Sequence, residues 1–178
     1  MTNFIPHSGL KLINFLILIL SISCNESNPK NQFKQYKKAE MTLPSGTKLD
    51  VYLALSPKQQ SLGLSHVQPS EFSDTDTMLF PTDHYRVRQF WMPETFFNLD
   101  IIFLGPDFKV LDIDRNVQHY TKREPKDKVP LSKVAYCQHV LEIKASSPFA
   151  LEIKKGMILK WSSQPSLSQI ISDTLQGR

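Results

Sequence analysis

The run FWMPETFFNLDIIFL, residues 90–104, sets three polar side chains, Glu94, Asn98 and Asp100, into an otherwise apolar and aromatic segment. Asp100 makes the sharpest demand. Flanked by Leu99 and Ile101 in what the pattern makes a central strand, its carboxylate must meet a partner or a pocket, because an unpaired buried charge is very costly. Two readings stand. As an anchor, Asp100 accepts hydrogen bonds from backbone amides or from Thr95 in the turn PETFFN; as a functional group, it coordinates or orients a ligand. Pro93 and Glu94 fit a tight bend ahead of it. The rings of Phe90, Trp91, Phe96, Phe97 and Phe103 pose the same choice, since strand alternation makes core of most, while Trp91 and Phe97 could floor an apolar pocket. Trp91, Glu94, Phe97 and Asp100 are therefore the candidate binding or structural site.

A second constellation lies in KVAYCQHVLEI, residues 133–143, where Cys137 and His139 stand two apart and so share a face if the strand is continuous. Leu141 and Ile143 extend the same row, which argues for its burial. A thiol and an imidazole so placed could ligate a metal with His119 or His84, or form a nucleophile pair. Side chains two apart on a strand are separated by roughly 7 Å, too far for a direct hydrogen bond. No serine-histidine-aspartate, HExxH, CxxC or phosphate-loop pattern accompanies them. Asp100, His139 and Cys137 are thus the catalytic candidates, with no metal and no cofactor called for.

The elements that must position these residues are mostly short strands. In KLDVYLAL, Leu49, Val51, Leu53 and Leu55 alternate and line one face. Ser56-Pro57 caps and starts a short helix that Gly63 stops. TMLF, residues 77–80, reads as a buried strand, and residues 99–114 as a hairpin turning at Gly105-Pro106-Asp107. A charged loop spans residues 120–130. KVAYCQHVLEI reads as one long strand, SSPFALEIKKG as a second capped helix, and MILKW as the last strand. Residues 162–178 form a polar tail, frayed or docked as a short helix. With no alternating βαβ rhythm, the expected fold is a compact, mainly antiparallel β sandwich or barrel-like domain with two short helices.

The N-terminus points to export. After Lys11, the run LINFLILILSI is eleven residues long, short of the roughly 20 that span a bilayer, and it ends in small residues before Cys24. LSISC resembles the cleavage region of a bacterial lipoprotein, with residues 1–23 as signal peptide and Cys24 as the acylated residue. Residues 24–38 read as a polar tether and 39–161 as the domain. With Cys24 acylated, Cys137 has no disulfide partner in the chain. The formal charge is +4, and the densest basic run, KREPKDK, is interrupted by Glu124 and Asp127. That pattern describes a solvated loop and speaks against nucleic acid as a partner.

Six pieces occur in order: Gly63-Leu64, Met78 to Phe80, Phe90 to Met92, Leu99 to Leu104, Val140 to Ile143 and Gly156-Met157. Together they resemble DUF family 192 over roughly residues 46–161. The resemblance implies a compact β fold, often exported, and no established biochemical activity. Val67 stands where the family often has an arginine, Thr77 where it often has glycine and Asn98 where it often has proline. The expectation is a lipid-anchored envelope domain, exported and leaning to the outer membrane, that binds a small molecule or an envelope protein, with FWMPETFFNLD as one wall of the site. An enzyme using Asp100 with His139, or a purely structural lipoprotein, are the alternatives. Oligomeric state is open.

Overall fold

The computed structural model describes Phe33 and residues 35–177; the expected signal peptide and Cys24 lie outside the described residues. β1 (Lys37–Thr42) and β2 (Lys48–Leu53) form an antiparallel hairpin. Leu49, Val51 and Leu53 turn to one side of the sheet and Tyr52 to the other. Burying each aliphatic side chain contributes roughly 1.5–3 kcal/mol. A slip of one residue would put all three on the wrong face, so the pattern also sets the register.

The hairpin belongs to a sheet completed by β3 (Asp76–Phe80), β5 (Leu99–Leu104), β6 (Val110–Val117), β8 (His139–Lys144) and β9 (Lys160–Trp161). The strand order is β6-β5-β8-β3-β2-β1-β9, a curled seven-stranded sheet. β4 (Arg86–Arg88) and β7 (Ala135–Cys137) pair with each other as a small second sheet. The fold is mainly β, as the strand signals imply. One pair, β2 and β3, is parallel, and α1 (Pro57–Leu62) lies in the connection between them. Ser56 caps α1 by accepting from the Gln59 amide, while the Gln59 side chain accepts from the Ser56 amide.

Each face of the large sheet has its own core. On the first, Val51, Leu79, Ile102 and Leu141 pack under α2 (Pro148–Glu152) and α3 (Leu167–Leu175), through Ala150, Leu167 and Ile170. α3 is a third helix, formed from the C-terminal residues that the sequence leaves frayed or docked. On the second face, Met78, Phe80, Ile101 and Phe103 meet Leu64, Phe72 and Met92 from the loops that follow α1 and precede β5. Phe33 and Tyr36, within the expected tether, join this second core, with the Phe33 ring 4.5 Å from that of Tyr52.

KVAYCQHVLEI is not one strand. It breaks at Gln138, whose amide donates to the Leu104 carbonyl at 2.9 Å and whose side chain donates to the Thr82 carbonyl at 3.1 Å, while its own carbonyl accepts from the Thr82 hydroxyl. These bonds divert the chain from the small sheet to the large one. The shared face expected for Cys137 and His139 is lost at the break. Cys137 joins the second core, and His139 stacks on Phe108, which packs against the first.

Candidate functional site

The sheet's second face carries a carboxyl that the sequence reading passed over. Pleating turns Glu142 of β8 away from Leu141 and Ile143, and in register it sits opposite Ile101 of β5. Only 4% of the residue is exposed, and no hydrogen bond or ion pair of its carboxyl is among those the described residues make. Its surroundings are a small recess of about 30 Å³, lined also by Gly63, Leu64, Ser65, Trp91 and Met92. Burial pushes the Glu142 carboxyl up to about 8, and the positive charge of Arg88 only partly opposes this. Arg88 is itself buried, donates to the Phe80 carbonyl at 2.8 Å and lies over the Phe90 ring at 5.0 Å. Burial and the nearby Arg86 charge lower it to about 10. The Tyr36 phenol, on the same side, is raised to about 12 by burial and by Glu142.

Two loops form the mouth. The Ser65 hydroxyl donates to the Pro93 carbonyl at 2.8 Å, and the His66 amide donates to the Glu94 carbonyl at 2.8 Å. His66 and Glu94 both adopt positive φ, at 66° and 53°, so the two segments meet through a pair of left-handed turns. The Glu94 carboxylate accepts from Arg123 Nε and Nη2 at 2.9 and 2.6 Å and lies 3.3 Å from His66 Nε2. Arg123 covers the Trp91 ring at 5.4 Å, and Trp91 remains 39% exposed. Gly63 lines the recess at a φ of 51°, and a Cβ added there would come within 3.3 Å of the Phe80 ring, so there is little room for a side chain.

Of the four residues singled out in FWMPETFFNLD, the structure places Trp91 in the recess wall and Glu94 at its mouth. Phe97 is half-buried and stacks on Phe72 at 5.7 Å, packed against the second core. Asp100 is elsewhere. It points to the opposite face, where Oδ2 accepts from Arg115 Nη1 at 2.5 Å and Oδ1 from the Asn116 amide at 2.8 Å. Asp100 is the single β5 residue facing two bulged residues of β6, Arg115 and Asn116, and it fills the bonds that the bulge leaves open. Arg115 continues to the carbonyls of Ala150 and Ile153, tying the bulge to α2. Thr95, the other expected partner, donates instead to the Pro93 carbonyl.

The catalytic candidates are not brought together. His139 pairs with Leu104 and Asp100 with Ile143, four register steps apart, or roughly 13 Å along the strand. His84 bonds Asp83 at 2.5 Å and His119 bonds Asn98 at 2.7 Å. The Cys137 thiol is buried, which raises it. Among the described residues no group of three or more His, Cys, Asp or Glu could hold a metal ion.

Glu142 did leave a signal in the sequence. In VLEI a carboxyl alternates out of a row that is apolar on both faces, which is the mark of a buried acid. The recess gathers residues from five of the six ordered pieces: Gly63 and Leu64, Phe80, Phe90 to Met92, Leu99, and Glu142. A neutral carboxyl here can both donate and accept a hydrogen bond, and near pH 8 it can exchange a proton with whatever occupies the recess.

Comparison with known proteins bears on the fold and the family. A solved structure from Sinorhizobium meliloti 1021, described as a "putative transcription regulator", shares 25% identity at a TM-score of 0.57, covering 71% of this chain and 95% of that one. A Novosphingobium aromaticivorans DSM 12444 protein of unknown function shares 30% identity at a TM-score of 0.54, covering 71% of this chain and 85% of that one. No curated protein matches the chain. The model of the DUF192 family, uncharacterized ACR, matches residues 40–161 and so takes in every recess-forming piece; the chain belongs to this family.

Proposed function

We propose that the chain is a lipid-anchored binding module of the cell envelope, whose ligand places a small neutral polar group, an amide or a hydroxyl, against Glu142. The observation that carries this reading is a largely buried carboxyl, with no hydrogen bond among those of the described residues, that lines a recess built from the family's own motifs. The recess admits only a group about the size of a water molecule or two. The ligand's remainder therefore lies outside it, along an open groove of about 350 Å³ that runs past Arg86, Arg88 and Gln89 to Trp91. An envelope glycan or peptide carries such groups on an extended frame. The anchor is the acylated Cys24 expected from LSISC; no helix among the described residues is long and apolar enough to cross a membrane. The description attached to the Sinorhizobium neighbour is a regulatory one, but the mixed charge of this chain favours no nucleic acid.

A second reading has one observation in its favour. A carboxyl raised to about 8 in a cleft is poised as a general acid or base. Glu142, not Asp100 with His139, would then carry the chemistry.

The test is thermal unfolding of the full-length protein in lipid nanodiscs against envelope glycan fragments, peptides and metal ions. A ligand should raise the wild-type melting temperature with its concentration and fail to raise that of Trp91→Ala. Its affinity should fall as pH rises through about 8, and Glu142→Gln should abolish that pH dependence. A ligand that binds both variants as it binds wild type, with the same pH profile, would overturn the assignment.

A further inference from the structure

A second cavity lies on the other side of the sheet. About 380 Å³ opens between α3, the turn joining β5 to β6 and the start of β8, within the range of small-molecule sites. Its walls are apolar, with Pro106, Phe108, Trp161, Leu167 and Ile171. The Phe108 ring stacks between His139 at 5.6 Å and Trp161 at 5.9 Å, so three flat groups form one side.

His139 is a buried polar group on this wall. Only 3% of the residue is exposed, and its Nδ1 accepts from the Thr82 amide at 3.2 Å. That bond assigns the proton of the neutral ring to Nε2. Nε2 has no hydrogen-bond partner among the described residues, and the ring lines the cavity. Nε2 therefore presents its N–H to the open cavity, where an acceptor on a ligand can take the place of water. The same cavity is lined by Ser166, Leu167 and Ser168, the first turn of α3. Amides of a first turn have no acceptor within their own helix, and they favour negative charge. Ser166 takes one of them by accepting from Gln169. The one acidic side chain on the lining, Asp83, is exposed and held by His84.

We propose that this cavity binds a small apolar carboxylate, whose oxygens accept from His139 Nε2 and from the first-turn amides of α3 while its hydrocarbon or aromatic body lies on Phe108 and Trp161. The site is separate from the Glu142 recess, which lies on the opposite face. Its α3 wall lies beyond the family match, which ends at residue 161, since α3 begins at Leu167.

The test titrates the full-length protein in nanodiscs with benzoate and octanoate, and with benzyl alcohol and octanol as neutral counterparts. The readouts are Trp161 fluorescence and the imidazole nitrogen resonances of His139. A carboxylate should give a saturable response at both, with at least tenfold weaker binding by its neutral counterpart. Ser168→Asp adds a charge that a helix N-terminus accommodates, so the fold stays intact while a carboxylate is repelled; binding should fall at least tenfold. His139→Phe keeps the ring and removes the donor, with a similar loss expected. Glu142→Gln should leave binding unchanged, which separates this site from the recess. No saturable response to either carboxylate, equal binding of the alcohols, or unchanged binding in Ser168→Asp would each overturn the proposal.

Discussion

Asp100 and Glu142 sit one register step apart on neighbouring strands, β5 and β8, and face opposite sides of the sheet. Asp100 meets Arg115 and the Asn116 amide in a bulge; Glu142 meets a recess and no partner among the described residues. Two carboxyls buried to a similar degree thus have opposite environments, one satisfied by the fold and one left for something else.

Removing the satisfied one should cost stability. Asp100→Ala leaves Arg115 and the bulge amide without their acceptor, and a loss of roughly 2–4 kcal/mol is expected, below the full figure for a buried pair because Arg115 is partly exposed. Urea unfolding of wild type and variant measures it. A midpoint that does not move would remove Asp100 from the role of anchor.

The stability of the protein should depend on pH from both sides. Glu142 holds its proton to about 8 when folded and to 4.5 ordinarily, so the folded chain binds the extra proton between these values and stability falls as pH rises across them. His139 is lowered from 6.5 to about 4 by burial and by Arg88, so stability falls as pH drops through that window. The two oppose each other from pH 4.5 to 6.5, where stability should be flat. From pH 6.5 to 8 the folding constant should drop on the order of tenfold, and Glu142→Gln should remove that drop. Denaturant unfolding at pH 5.5, 7 and 8.5 tests both statements.

Gly63 should not tolerate a side chain. Gly63→Ala forces an alanine to φ 51° and pushes its methyl against Phe80, so a cost of at least about 1–2 kcal/mol is expected. Replacing Gly46, whose φ is also positive but which has nothing within 4 Å, isolates the backbone part of that cost.

α3 should contribute measurably to the fold. Leu167 and Ile170 are both buried in the first core, so Leu167→Ala should cost about 2–5 kcal/mol. A melting temperature equal to that of wild type would mean that the helix does not dock in solution.

Much of the architecture could be read from local signals. Leu49, Val51 and Leu53 alternate because a strand has period two, and the structure buries them on one face. Ser56-Pro57 and Gly63 bound α1 because capping and left-handed backbone are local chemistry. Gly105-Pro106-Asp107 turns the β5–β6 hairpin for the same kind of reason. KVAYCQHVLEI shows where such reading stops. Its pattern is that of one strand, but the break at Gln138 comes from Thr82 and Leu104, residues far away in sequence.

What the sequence by itself determined is most of the strands, the two capped short helices, the resemblance to the family and the demand of Asp100 for a partner, consequences of period, capping and desolvation. Only the tertiary structure decided how that demand is met, and only it brought Glu142 into view. Arg115 reaches Asp100 because a bulge in β6 and the end of α2 converge there, whereas pleating turns Glu142 into the recess between two loops and leaves His139 facing α3. Partners of that kind come from segments distant along the chain, and their meeting is a property of packing rather than of any local pattern.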